Sequence, residues 1–97
     1  MESVFEFDPK KSTSNKFKHG IDFIEGQRIW NDDDLMIIEA TSDFEPRWIM
    51  VGKIEEQYWT AVVTKRGETI RIISIRRSRT KEKTDYENEK KNQREGI

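Results

Sequence analysis

The chain contains no cysteine, which excludes disulfides, thiolate metal sites and a cysteine nucleophile. That suits a reducing compartment, and a cytoplasmic protein is expected. His19 is the only histidine, and one imidazole cannot build a zinc site alone. The few glycines form no phosphate-cradling loop. No apolar run approaches the roughly 20 residues that span a bilayer, and nothing near Met1 resembles a secretion signal. Asp32, Asp33 and Asp34 stand consecutively, without the alternate spacing and glycine of a calcium loop. The acidic block from Asp32 to Glu45 therefore reads as a solvated loop, and neither a metal nor another cofactor is expected.

What is present suffices for one small domain. Ninety-seven residues can bury one hydrophobic core but not two. Charged residues make up 38% of the chain, yet three Trp, five Phe and an isoleucine-rich second half argue against disorder. A core of this size gains stability from a partner, so a tight complex is expected. The net charge of -1 hides a separation along the chain. Asp22 to Glu45 carries about -7, and Lys65 to Lys83 about +6. If the basic segment forms one face, it can attract polyanions.

Periodicity gives an α+β order of elements. Val4 to Phe7 alternates like a strand and ends at Asp8-Pro9, a good N-cap and first helical residue. The spacing predicts a helix from Pro9 to about Lys18, with Phe17 inward and Gly20 as its stop. Asp22 and Glu25 have nearly the spacing of a capping box and open a second helix with Phe23, Ile29 and Trp30 inward. The period then changes to that of strands over Leu35 to Thr41, Arg47 to Ile54, Gln57 to Lys65 and Glu68 to Arg77. Hairpin-sized links at Glu55-Glu56 and Arg66-Gly67 make these an antiparallel meander, covered by the two N-terminal helices on one face. Thr80 to about Lys91 has helical charge spacing, Lys83 with Glu87 and Glu87 with Lys91, and reads as a solvated C-terminal helix. The expected domain is 1–91, followed by a disordered tail, 92–97.

Several stretches in this order resemble one family: FEFDP at Phe5 to Pro9, KHGI at Lys18 to Ile21, Phe23 with Glu25, IRIISIRRS at Ile70 to Ser78, and the Tyr86-Glu87 pair. Together they resemble the BrnT family of ribonuclease toxins from type II toxin-antitoxin systems. The resemblance implies a fold like that of the RelE toxins, with two helices on an antiparallel sheet. It also implies neutralisation by a BrnA antitoxin, whose ribbon-helix-helix part binds operator DNA as a complex with the toxin. The chain departs from the commonest pattern in a β-turn without glycine at Glu55-Glu56-Gln57, in Gly26 where alanine is more usual, and in Asp33-Asp34 where an Asp-Pro is commoner.

RNA cleavage without a metal needs a group to take the 2′-hydroxyl proton, cations to stabilise the phosphorane, and a donor for the leaving 5′-oxygen. Arginine suits the second task, because its planar fork pairs with non-bridging oxygens and stays charged when partly desolvated. The isoleucine strand from Ile70 to Ile75 is thus a rail carrying the candidate catalytic residues Arg76 and Arg77, with Arg71 earlier along it. In a regular strand Ile70, Ile72, Ser74 and Arg76 share one face, and Arg71, Ile73, Ile75 and Arg77 the other. Both guanidiniums reach one pocket only if a bulge or the strand end re-aims one; otherwise one binds RNA while the other pairs with an acid such as Glu45 or Glu87. His19 is the natural proton carrier at neutral pH, or simply a histidine favoured by the helix C-terminus. Lys18, Arg47, Lys65, Arg66 and Arg71 are candidate contacts to the RNA backbone, and Tyr86 a candidate stacking residue or proton donor. The plainer alternatives are solvated charges for the cations and helix packing for Tyr86. Trp30, Trp48 and Trp59 read as core.

Overall fold

The computed structural model describes residues 4–40 and 45–95. After a short strand β1 (Val4–Glu6), helix α1 (Pro9–His19) begins and ends as its flanking residues dictate. The Asp8 carboxylate accepts the Lys10 N–H at 2.9 Å, and Pro9 occupies the first turn. Gly20 takes the left-handed conformation at φ 80 and donates its N–H to the Lys16 carbonyl at 2.9 Å.

The inward side of α1 is polar. Its buried residues are Ser12 and Asn15. Ser12 accepts the Phe23 N–H at 2.9 Å. The Asn15 amide donates to the Ile21 and Ile75 carbonyls, both at 2.8 Å, and accepts the Ile75 N–H at 3.2 Å. Asn15 thereby satisfies both backbone groups of Ile75 much as a neighbouring strand would. This corrects the placing of Phe17. Successive residues turn about 100° around a helix, so with Asn15 inward, Phe17 points away, and it is 95% exposed.

Asp22 and Glu25 do cap one another. Asp22 Oδ1 accepts the N–H groups of Ile24 and Glu25, and Glu25 Oε1 accepts the Asp22 N–H. The element they introduce is a 3-10 helix, Glu25–Asn31, rather than the expected α-helix, so a single α-helix precedes the main strands. Seven residues form too short a segment to gain much from cooperative α-helical bonding. Gly26 lets this segment approach the sheet closely, since a Cβ there would lie 2.2 Å from Ile75 Cδ1.

The strands β2 (Met36–Ala40), β3 (Arg47–Ile54), β4 (Gln57–Arg66) and β5 (Thr69–Arg77) form the expected antiparallel meander. The predicted end of β2 at Thr41 lies outside the described residues. β1 joins in parallel beside β5, giving the order β1-β5-β4-β3-β2 and a mixed sheet instead of a purely antiparallel one. In the β3–β4 turn, which lacks glycine, Glu55 adopts φ 58.

One face carries the main core. Phe23 and Ile29 pack there on Met50, Trp59, Ala61, Val63, Ile72 and Ile75, with Trp30 and Trp48 partly buried against them. Each large apolar side chain fully buried here contributes about 1.5–3 kcal/mol. The other face is partly covered by α2 (Thr80–Glu95), whose buried Tyr86 packs against Met36 and Val51. The helix continues past the expected end at Lys91. Lys83 lies over the Tyr58 ring and Glu87 accepts the Tyr58 hydroxyl, so these two charges serve α2 docking rather than pairing along the helix.

Candidate functional site

The expected chemistry centres on the end of β5, where one irregularity decides which side chains point where. Val62 pairs with Ser74 and Val63 with Ile72, leaving Ile73 as an extra residue. This bulge reverses the alternation. Ile70, Ile72, Ile75 and Arg77 therefore face the main core side, while Arg71, Ser74 and Arg76 face the α2 side. The grouping expected of a regular strand is corrected accordingly. Arg76 and Arg77 remain on opposite sides of the sheet.

Arg76 is held by α2. Its Nη1 and Nη2 each donate to one Glu82 oxygen at 2.8 Å. Glu82 also accepts the Arg79 N–H at 2.7 Å and the Thr60 hydroxyl at 3.1 Å. The Arg76 fork, aided by these donors, outweighs the desolvation of Glu82 and lowers its pKa to about 2. Because the fork is fully engaged, Arg76 fastens the start of α2 to the sheet rather than standing open to a phosphate.

Arg77 is exposed and forms no ion pair among the described residues. Its guanidinium lies 5.4 Å from the Trp59 ring centre, and Nη1 donates to Gln57 Oε1 at 3.3 Å. Trp59 and Gln57 also line a hollow of about 280 Å³, together with Ile21, Arg28, Ile54 and three carboxylates, Glu25, Glu55 and Glu56. His19, exposed at the end of α1, stands two residues before Ile21. Asn15 holds the Ile21 and Ile75 carbonyls on a single nitrogen. His19 and Arg77 are thus each two residues from a carbonyl fixed by the same amide, at one end of the sheet. An exposed cation over an aromatic ring is suited to holding a phosphodiester and a carboxylate to moving a proton, although the three carboxylates of the hollow oppose a phosphate within it.

The remaining candidates are dispersed. Lys18 is exposed beside His19. Arg66 and Arg71 lie 3.9 and 3.6 Å from the same Glu6 oxygen, a carboxylate that competes with any phosphate for them. Lys65 sits 4.4 Å over the Trp48 ring. Arg47 is exposed at the start of β3. Tyr86 is 1% exposed and donates to Asp32 Oδ2 at 2.7 Å, so it packs its helix and presents no face to a base. Burial first, and then that carboxylate, push its phenol well above the usual range.

Three structural residues escaped the sequence reading. Asp32, expected in a solvated loop, accepts from Tyr86, from the Lys53 N–H and from the Asp34 N–H. Burial alone would raise its pKa, but these donors and the charge of Lys90 hold it below the ordinary carboxylate range. Asn15 and Glu82 are the others. Only the Asp-x-Asp spacing at Asp32 and Asp34, typical of a side chain capping its own turn, gave a local signal.

A family model described as "Ribonuclease toxin, BrnT, of type II toxin-antitoxin system" matches residues 7–82. That span includes His19, the 3-10 helix, the whole meander and the Arg76–Glu82 pair. No curated protein matches the chain.

Proposed function

The chain belongs to the BrnT family of ribonuclease toxins of type II toxin-antitoxin systems, and from that membership we propose that it is a metal-independent endoribonuclease acting in the cytoplasm, where RNA cleavage inhibits translation and growth. A 2′-hydroxyl attacks the adjacent phosphorus and loses its proton to a base. The P–O5′ bond breaks, the leaving oxygen takes up a proton, and a 2′,3′-cyclic phosphate remains. Arg77 stabilises the charge on the non-bridging oxygens, and His19 is the proton carrier. Arg76 is a positioning residue that keeps α2 in place. The observation that carries this reading is Arg77 itself, an exposed guanidinium over Trp59 without a carboxylate partner among the described residues, with Trp59 also lining the hollow. The toxin's partner is a BrnA-like ribbon-helix-helix antitoxin, and operator DNA is met only through their complex.

The pairing of Arg66, Arg71 and Arg76 with carboxylates favours a second reading, a non-catalytic partner that holds its antitoxin in a DNA-binding autorepressor complex. One experiment separates the two. Purified protein, free of antitoxin, is incubated with RNA in EDTA from about pH 6 to about pH 8, the range in which histidine titrates. Cleavage that is lost in Arg77→Ala, with thermal stability retained, supports the enzyme. RNA left intact throughout, with growth inhibition unaffected by Arg77→Ala, supports the second reading.

A further inference from the structure

The most exposed large hydrophobic residue among those described is Phe17, at 95%, and Ile24 at 67% stands across a groove from it. The groove has a volume of about 650 Å³ and lies between α1 and the segment leading into the 3-10 helix, with Phe7, Pro9, Ser12, Thr13 and one charge of each sign, Lys16 and Asp22, also in its lining. Ser12 and Phe7 in its lining serve the fold, whereas Phe17 and Ile24 do not. α1 is attached through Ser12 and Asn15, so Phe17 offers apolar area that no described residue covers.

We propose that this groove seats an acidic amphipathic helix of the antitoxin. The inference rests on the family reading that such a partner exists. Pro9, Thr13 and Phe17 recur at four-residue spacing and form one straight ridge along α1, the shape that complements a rod. Charge fixes the chemistry of that rod. α1 carries Lys10, Lys11, Lys16 and Lys18 and no carboxylate. Lys16 is paired with Glu25 at 2.7 Å, whereas Lys10, Lys11 and Lys18 form no ion pair among the described residues. A partner with leucine-like side chains towards the groove and glutamate or aspartate along its flanks matches both features. A nucleic-acid strand fits less well, because Ile24 has no π face on which a base can stack and two apolar walls favour an inserted side chain.

The test uses the full-length toxin and the product of its neighbouring reading frame, co-expressed, separated and recombined. Phe17→Ser with Ile24→Ser should weaken binding at least about tenfold, as for a central aromatic anchor. Cleavage of RNA by the free toxin should be unchanged. Lys10→Glu with Lys11→Glu should slow association and flatten its dependence on salt. Because these side chains are exposed, the variants should keep the wild-type melting temperature, and hydrogen exchange of the wild-type complex should show protection at 7–24. Unchanged binding by the double serine variant overturns the inference. So does protection confined to β2, self-association of the toxin through Phe17, or failure of the wild-type toxin to bind that product. Reduced RNA cleavage with unchanged antitoxin affinity would reassign Phe17 to RNA. Absence of cleavage by the wild type would overturn the enzymatic reading and leave the binding result standing.

Discussion

Replacing Gly26 with alanine tests how closely the 3-10 helix is pressed onto β5. The new Cβ would stand 2.2 Å from Ile75 Cδ1, while Cγ1 and Cγ2 of the same side chain lie at 3.5 and 3.6 Å. Carbon atoms rest about 3.5–4.0 Å apart, so the terminal methyl must move by more than an ångström. It has little room to do so. Ile75 is fully buried, and Asn15 binds both of its backbone groups, which resists a shift of the strand. Overpacking of this kind costs about 1–3 kcal/mol. The loss of unfolded-state freedom on removing a glycine returns about 0.4–1 kcal/mol. The expected net destabilisation is about 1–2 kcal/mol, a fall in Tm of roughly 5–10 °C for a chain of this length. Ile75→Val removes Cδ1 and on its own costs about 0.5–1.5 kcal/mol. In that background alanine at 26 meets only ordinary van der Waals neighbours and fills the vacated space. The double variant should therefore be at least as stable as Ile75→Val alone, with a favourable coupling of about 1–3 kcal/mol in a double-mutant cycle read from urea midpoints. Additivity to within about 0.5 kcal/mol would refute the contact and the close approach drawn from it.

Three further outcomes follow from the docking of α2 and from the β3–β4 turn. Glu82 has its folded pKa lowered from 4.5 to about 2, so its stabilisation is complete above the unfolded pKa and is lost as pH falls through that window. The shift is worth at most about 3 kcal/mol; Glu82→Gln should be less stable at neutral pH and should lose much of its pH dependence between about 5 and 2, and an acid-unfolding curve parallel to wild type would contradict the Arg76 pairing. Tyr86→Phe leaves Asp32 without one donor and should cost about 1.5–3 kcal/mol by denaturant titration, with RNA cleavage by the folded fraction unaffected. Lost cleavage at unchanged stability would instead give the phenol a chemical role. Glu55→Gly relieves a left-handed residue at φ 58 and should raise stability by about 0.5–1 kcal/mol, since the exposed Arg28 pair at 3.5 Å contributes little. A lower Tm would show that the turn is not strained.

Much of the architecture was legible because its signals are local. Asp8-Pro9, Gly20 and the Asp22–Glu25 pair each act within a few residues, and β3 runs from Arg47 to Ile54 as its pattern predicts. The geometry of the site was less visible. The bulge at Ile73 has no glycine, and its one local mark is the three-residue step between the polar positions Arg71 and Ser74, yet it sets the side of the sheet taken by every later residue of β5. Nothing local marks Asn15, because its partner Ile75 is 60 residues away, and Asp32 reads as solvated because Tyr86 is 54 away. Phe17 was assigned inward by hydrophobicity alone, whereas the polar clamps of α1 fix which side of the helix is buried. Family resemblance supplied the activity, but it could not reveal that Glu82 holds Arg76 while Arg77 is left exposed.

The parallel pairing of Val4–Glu6 with residues 69–71 sets a timetable for the molecule on the ribosome. The first strand is made early but has nothing to pair with until β5 has emerged, and α1 likewise waits for Ile75 to receive Asn15. The seating of α1 on the sheet, and with it the completion of the fold, therefore falls late in synthesis, after the meander has emerged.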